Sequence, residues 1–271
     1  MKKLVGLLAA LCCMIFASTV FAATEISDGG YVEVTGIGEP GQSYSAGIRA
    51  AELVAYRKAA EAIGDMQLTS DSTVKQGITT DDTIRTKLNA VIHQAKIVEE
   101  HKGTDGYYYA TVRVPIFGSH SVASVVLPKV ETPEPLPKPT VKVVQESAGV
   151  HETHDTIVVR GGYTGVIIDC RGLGLVTAMS PIIKSDNGTK LYGYKNLESA
   201  KVIHNGMASY SKSMTANVAR AGSHPLIIKA VSVDGFGAKC DPVISTMDAN
   251  RMLAENAKTH FLENCAVVFV R

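Results

Sequence analysis

The chain has no marked excess of charge of either sign, and beyond its amino terminus it has no long apolar run. Its 271 residues contain 27 Lys and Arg against 26 Asp and Glu, so its charge gives no reason to expect nucleic acid or an anionic membrane as a partner. No segment after residue 22 approaches the about 20 apolar residues of a transmembrane helix. The residues after position 22 are numerous enough for two soluble domains, each able to bury a core.

The long apolar run at the amino terminus has the layout of a secretory signal peptide. Lys2 and Lys3 precede the apolar residues 4–16, and Val20-Phe21-Ala22 supplies a cleavage site. A membrane-anchoring helix is the alternative, because the run approaches the length of a membrane span. We expect residues 1–22 to be a signal peptide cleaved near Ala22, which places the mature chain in the periplasm or outside the cell.

Cysteine is sparse, and the five cysteines fall into two groups. Cys12 and Cys13 lie in the apolar run, and neither follows the small residue that a lipoprotein processing site requires, so lipidation is not expected. Cys170, Cys240 and Cys265 remain in an exported chain, where an oxidising compartment permits one disulfide and leaves one thiol over. Cys240 at a polar turn and Cys265 before the last strand form the candidate pair, and Cys170 is interpreted as a small buried hydrophobe.

The most distinctive segment of the sequence places an acid, a base and two glycines directly after an apolar run. Asp169 and Arg171 follow Gly165-Val-Ile-Ile, and Gly172 and Gly174 come next. Residues two apart on a strand share a face, so the pair could form a charge-assisted bond that braces the glycine turn, or could hold a ligand carboxylate or carbonyl. We favour the bracing role, because half-buried pairs often serve geometry.

Known catalytic patterns do not fit this segment. Gly172-Leu-Gly174 lacks the third glycine of a dinucleotide-binding loop and has no P-loop Lys-Ser pair. Ser180, before Pro181, lacks the glycines of a hydrolase nucleophile elbow. The segment is therefore not predicted to catalyse. Besides the bracing role, it offers a candidate ligand- or partner-binding set of five residues: Asp169, Arg171, Gly172, Gly174 and Ser180.

Residues 151–155, His-Glu-Thr-His-Asp, resemble a metal-binding cluster only superficially. The two histidines are one residue too close for the helical zinc-protease motif, which needs them a full turn apart. A solvated polar segment is the simpler interpretation, so neither a metal nor another cofactor is expected.

A proline-rich segment divides the chain. Residues 131–140 carry four alternating prolines, a composition that favours extended polyproline geometry and a semi-rigid linker. This predicts one domain at residues 30–118 and another at residues 141–271. The predicted fold class is α+β: two small two-layer α/β domains, each a mostly antiparallel sheet packed by helices.

The first half shows clear periodic patterns. Residues 30–38 alternate as a strand does, and residues 45–63 carry alanines and larger apolar residues at helical spacing. Residues 81–93 predict a shorter helix with acids in its first turn. Residues 96–100 and 107–117 predict a hairpin, because Thr-Asp-Gly between alternating segments favours a tight turn.

The second half predicts several strands around the distinctive segment. Residues 156–160 and 165–169 are interpreted as adjacent core strands separated by Gly161-Gly162. Further strands are expected at residues 225–229 and 266–270, with a helix over residues 247–262 between them.

These features carry a resemblance to known families. The opening glycine-ended strand, the alanine-rich helix and the hairpin ending Tyr109-Ala-Thr-Val-Arg-Val resemble the LPP-twenty envelope lipoprotein family and the amino-terminal domain of flagellar assembly protein T. The pattern Thr-Gly-Val-Ile-Ile-Asp-x-Arg-Gly-Leu-Gly-Leu, followed by Ala-Met-Ser-Pro and Pro-Leu-Ile-Ile-Lys-Ala, resembles a module that accompanies such domains, with Cys170 where alanine is common.

The signal peptide, the two compact α+β modules and the lack of a catalytic set predict a non-enzymatic exported envelope protein that binds other envelope proteins. The resemblance implies a structural or assembly role with flagellar basal-body proteins as partners. A periplasmic module that binds a small ligand through Asp169, Arg171 and the glycine turn is the alternative.

Overall fold

The computed structural model describes residues 30–79, 81–147, 149, 151–153 and 155–271. The predicted signal peptide, with its cleavage site at Ala22, lies outside the described residues, as does His154. Within the described ranges no helix is long and apolar enough to cross a membrane.

The first half follows the predicted order of elements. Its strands and helices are β1 (Tyr31–Gly38), α1 (Tyr44–Asp65), β2 (Gln67–Thr69), β3 (Ser72–Thr73), α2 (Val74–Ile78), α3 (Asp82–His93), β4 (Lys96–Lys102), β5 (Tyr108–Pro115) and α4 (Val122–Val126). The strands β1, β5 and β4 form an antiparallel sheet in that order. The predicted helices and the predicted hairpin are therefore confirmed, and Asp81 caps α3 by accepting the N–H groups of Thr83 and Ile84.

The helix α1 lies unusually close to the sheet because small residues face each other across the contact. Ala51, Ala55 and Ala59 are fully buried on its inner face. A Cβ atom added to Gly36 of β1 would stand 2.0 Å from the carbonyl oxygen of Ala51 and 2.3 Å from the nitrogen of Ala55. Only glycine leaves room for this approach, which explains both the glycine in the strand and the alanines in the helix.

The second half contains more and shorter elements. They are β6 (Lys142–Gln145), β7 (Thr156–Val159), β8 (Gly165–Asp169), β9 (Ile183–Ser185), β10 (Lys190–Tyr192), α5 (Ser199–Asn205), β11 (Ser209–Ser211), β12 (Pro225–Lys229), β13 (Ser232–Asp234), β14 (Asp241–Ile244), α6 (Thr246–Thr259) and β15 (Val267–Val270). The predicted α+β class with two units is confirmed as a mixed fold of several small sheets and helices.

Strand direction in the second half differs from the prediction. The main sheet has the order β11-β15-β8-β12, and all of its pairings are parallel. A second four-stranded sheet, β10-β9-β14-β13, is mixed. The mostly antiparallel arrangement that we predicted therefore holds in the first half and fails in the second. The apolar run Val166-Ile167-Ile168 is buried throughout, as a central parallel strand covered on both faces requires.

The two strands predicted to be adjacent, β7 and β8, belong to different sheets. The strand β7 pairs in parallel with β6, whereas β8 pairs with β12 and β15. The glycines Gly161 and Gly162 between them both have positive φ, at 78° and 76°, and so allow the chain to leave one sheet and enter the next rather than to form a hairpin.

The halves contact each other closely. One hydrophobic cluster includes residues from both, among them Ile63, Val112, Ile168 and Phe269. The proline-rich segment lies against the second half, where the N–H of Glu134 donates to the carbonyl of Lys195 at 2.8 Å, with further bonds near each end of the segment. The extended segment is thus held at several points along its length.

We expect Gly36→Ala to destabilise the first half strongly, because its methyl group collides with the backbone of α1. Overpacking of this kind costs about 1–3 kcal/mol or more, measured as the change in the free energy of unfolding in urea. Gly64→Ala is the matched control, since its new Cβ would meet nothing closer than Lys75 Cβ at 3.6 Å. It should leave stability unchanged or raise it by up to about 1 kcal/mol, and equal effects of the two changes would contradict the close-approach explanation.

Candidate functional site

The candidate site lies at the carboxyl ends of the main parallel sheet. Because the four strands run in one direction, their last residues meet at one edge: Ser211, Val270, Asp169 and Lys229. Ligands of open parallel sheets bind at this edge as a general rule. The predicted site residue Asp169 is therefore in the position where the fold favours recognition.

Asp169 and Arg171 form a bidentate ion pair. Arg171 Nε donates to Asp169 Oδ1 at 2.8 Å, one Nη donates to Oδ2 at 2.7 Å, and the backbone N–H of Arg171 adds a third bond to Oδ1 at 3.1 Å. The Asp169 side chain is 17% exposed and that of Arg171 54% exposed. The structure thus brings these two residues together as the sequence predicted, and the pair fixes the turn that follows β8.

The pair also sets the charge state of the corner. Hydrogen bonds from Arg171 lower the pKa of Asp169 below its ordinary value, against burial, which raises it. A lowered pKa in the folded state means that the pair's stabilising contribution is complete above the carboxyl's ordinary pKa and is lost as the pH falls through the lowered one. The corner therefore carries a carboxylate and a guanidinium at neutral pH.

The two glycines of the corner serve the turn and not a close contact. Gly172 and Gly174 have φ of 77° and 74°, in the region that residues with a side chain adopt rarely. A Cβ at either position would meet nothing within 4 Å. Open space above both glycines leaves the corner accessible from outside.

Cys170, between the acid and the base, points inward. It is fully buried, its backbone N–H donates to the carbonyl of Val270 at 2.7 Å, and burial raises the pKa of its thiol to about 12. A thiol with that pKa carries almost no thiolate at neutral pH and is a poor nucleophile. The interpretation of Cys170 as a small core residue is consistent with this position.

Ser180 serves a different contact from the Asp169 corner. Its backbone N–H donates to the carbonyl of Leu68 at 2.8 Å, and that of Met179 donates to Gln67 at 2.9 Å. Ser180 therefore helps to attach the second half to β2 of the first half. The structure shows no bond between Ser180 and the ion pair with which we grouped it.

The disulfide expected between Cys240 and Cys265 is not formed. Both cysteines are free and buried, in different surroundings: the Cys240 thiol lies 3.7 Å from Asp241 Oδ1, whereas Cys265 lies beside Tyr192 and Arg220. The physical reason is that one cysteine leads into β14 and the other into β15, and these strands belong to separate sheets.

Sequence reasoning missed a charged cluster in the mixed sheet. Lys184 Nζ lies 2.8 Å from Asp234 Oδ2 and 3.0 Å from Asp241 Oδ2, and Asp241 is completely buried. Asp241 Oδ1 accepts the backbone N–H of Ile182 at 2.9 Å. Among the described residues Asp241 Oδ2 accepts no hydrogen bond of good geometry, and its charge is compensated by the Lys184 ammonium at 3.0 Å. No local pattern signals this cluster, because its three members come from three strands.

The lysine in this cluster remains charged. Burial alone would lower the pKa of Lys184, but its contacts with Asp234 and Asp241 raise it above the ordinary value. The cluster forms one wall of a pocket of 470 Å³ that also includes Ser70 and Asp71 of the first half. Over the described ranges, no group of three His, Cys, Asp or Glu side chains is arranged to hold a metal ion.

Comparison with known proteins gives a match over part of the chain. The structure is a two-unit α+β fold, and its second unit is the part that matches: residues 165–271 fit a protein-family model described as Treponema pallidum Tp0624, second domain. The match starts at the first residue of β8 and includes the Asp169 corner, but it covers fewer than half of the residues. No curated protein matches the chain.

We expect Lys184→Met to destabilise the protein by about 3–5 kcal/mol, because it leaves Asp241 buried without a compensating charge. Lys190→Met is the matched control, since Lys190 lies directly across from Lys184 on β10 but is exposed. Urea unfolding of both variants measures the difference. Adding Asp241→Asn to Lys184→Met should recover part of the loss, and a loss that the second change deepens would contradict the charge explanation.

Proposed function

We propose that this chain is an exported, non-enzymatic protein of the bacterial cell envelope, which acts as a structural or assembly factor through contacts with other envelope proteins. The observation that carries the proposal is the Asp169 corner. Its carboxylate is fully engaged by the neighbouring arginine, and its turn is fixed by two glycines in the left-handed region. A rigid corner with an exposed guanidinium suits recognition of a partner better than a catalytic cycle.

Two further features support an envelope role. The amino-terminal sequence has the layout of a secretory signal peptide, and the second unit is similar to a domain of a bacterial protein. We further propose that the first unit is related to the LPP-twenty family and to the amino-terminal domain of flagellar assembly protein T. Basal-body proteins are the partners that this relation implies.

A second candidate function is a periplasmic module that binds a small ligand at the same corner. It is favoured by the position of Asp169 at the carboxyl edge of a parallel sheet, where such ligands bind. Arg171 retains donors directed away from Asp169, since a guanidinium has five and the pair uses two of them through the side chain. A carboxylate or carbonyl group on the ligand would complete this donor set.

Crosslinking in the native envelope, followed by affinity purification of the tagged chain, tests the leading proposal. We expect envelope proteins in the crosslinked fraction and, for the flagellar version, a loss of motility in a deletion strain. A motile deletion strain whose purified fraction contains no basal-body protein would exclude the flagellar version.

We expect Arg171→Ala to reduce the crosslinked partner at least fivefold while changing the melting temperature little, because a half-exposed ion pair contributes only about 0–1 kcal/mol. Arg85→Ala is the control for removing an exposed arginine, since the Arg85 side chain is 62% exposed against 54% for Arg171 and also forms an ion pair, with Asp82 in the first half, and it should leave the partner signal intact. A large loss of stability without loss of the partner would show that the corner has a structural role alone.

A further inference from the structure

One aromatic side chain stands almost entirely in water. Phe236 is 99% exposed, in the loop that joins β13 to β14. Burying a side chain of this type is worth about 1.5–3 kcal/mol relative to leaving it exposed. Single exposed apolar residues are common, so the exposure becomes informative only because the loop around Phe236 is fixed.

The loop is held rigidly from both sides. Lys184 connects Asp234, where β13 ends, to Asp241, where β14 begins, so its ammonium clamps the two flanks of the loop. The N–H groups of Gly237 and Ala238 both donate to the carbonyl of Ser70 at 2.9 Å. The loop thus has little freedom to fold its aromatic ring back onto the protein.

Gly235 tightens the loop further. Its φ is 142°, and a Cβ atom there would lie 1.8 Å from the carbonyl oxygen of Ala238. No other residue fits this position, so the chain uses an obligatory glycine, two backbone bonds and a buried ion pair to hold Phe236 outward. We call Phe236 with this loop the knob.

The first half of the same chain contains a cavity of suitable size and chemistry. It has a volume of 540 Å³ and opens between the ends of β1, β5 and α3. Its apolar walls come from five residues: Tyr31, Val91, Ala95, Pro115 and Phe117. This volume lies within the range of pockets that hold drug-sized ligands, so one phenyl ring fits. We call this cavity the hole.

We propose that the knob of one copy of this chain inserts into the hole of a second copy. Knob and hole lie in different halves, so the contact is not made between identical patches. Repetition of such a contact closes into a ring if the rotation allows and extends as a chain otherwise. The aromatic walls of the hole, Tyr31 and Phe117, favour an aromatic guest through edge or offset contacts.

Charges near the two features favour one orientation. The rim of the hole carries Lys96, and Asp71 lies beside Phe236. Arg113 at the rim is paired with Glu33 at 3.0 Å, and Asp234 beside the knob is paired with Lys184 at 2.8 Å, so Lys96 and Asp71 are the charges that can meet across the contact. Arg113 already rests on the ring of Tyr31, 4.3 Å from its centroid. Because Lys190 also lies near the knob, the charges select the orientation of the two copies more than they add affinity.

This inference goes beyond the proposed function and does not use the Asp169 corner. A single anchoring ring does not supply the roughly 1,200–2,000 Å² of a standard stable interface unless the surrounding surfaces also meet. We therefore expect weak association, with a dissociation constant in the micromolar to millimolar range. The fraction of associated protein then depends on the local concentration of the exported chain.

Sedimentation velocity on the protein produced from its full coding sequence tests the proposal. The average mass of the unaltered protein should rise with concentration. Phe236→Ala, which lacks the knob, and Val91→Trp, which fills the hole, should each remain monomeric. A mixture of the two variants should form dimers and nothing larger, because only one productive knob and one open hole are available per pair.

Ile227→Ala is the matched control for removal of an exposed apolar side chain, since Ile227 is 60% exposed on β12, and it should associate as the unaltered protein does. Circular dichroism and melting curves establish that each variant is folded. If Val91→Trp does not fold, Lys96→Glu takes its place: it should weaken association at least threefold, and Asp71→Lys in the partner copy should restore it.

The proposal is overturned by any of three results: an unaltered protein that stays monomeric up to about 1 mM, a Phe236→Ala variant that associates normally, or a mixture of the two variants that remains monomeric. None of these results bears on the partner contact at Arg171. Failure of self-association is therefore distinguishable from failure of the proposed function.

Discussion

The second half of this protein depends on the parallel pairing of one central strand. The strand β8 hydrogen-bonds to β15 on one side and β12 on the other, and its residues Val166, Ile167 and Ile168 are buried on both faces. A shift of this strand by one residue would turn every side chain to the opposite face of the sheet and would move Asp169 away from the strand end. The register fixes where β8 ends, and the place where it ends fixes the Asp169 corner.

The corner is a consequence of ending a buried strand at the surface. The chain must turn sharply after Asp169, with Cys170 still inside and Arg171 already outside. Two glycines with positive φ make the turn possible, and the ion pair holds it. Lys229, opposite Asp169 on β12, adds a second positive charge and contributes to the lowered pKa of that carboxyl. The same physical requirement produces a rigid turn and an exposed guanidinium.

Local patterns predicted the parts of the fold that local forces determine. The helices α1 and α3, the β4–β5 hairpin and the Asp169–Arg171 pair all depend on residues near each other in sequence, where periodicity, caps and turn residues are decisive. Strand direction in the second half depends on contacts between residues 165–169, 225–229 and 267–270, and no local signal distinguishes parallel from antiparallel partners. The continuous apolar run of β8 was the available clue, because antiparallel strands with one wet face alternate. The Lys184 cluster was not predicted for the same reason, because its three members are distant from one another in the sequence.

The buried ion pair of the mixed sheet affects both the stability of the fold and the position of the loop that carries Phe236. Replacing a buried pair by apolar residues of similar size is often neutral or stabilising, so a gain in folding stability does not by itself explain why Lys184 and Asp241 occupy these positions. Their contacts do: the ammonium joins the two flanks of the loop that carries Phe236. The backbone pairing of β13 with β14 already places Asp234 opposite Asp241, and an apolar replacement could fill the same volume, but it would remove the side-chain contact that joins the two flanks of the loop. The charge cluster therefore specifies the shape of a surface loop, and the first half reinforces that shape through the carbonyl of Ser70. The loop and the cluster therefore form one structural element, in which the buried charges of Lys184 and Asp241 help to hold the exposed loop that carries Phe236.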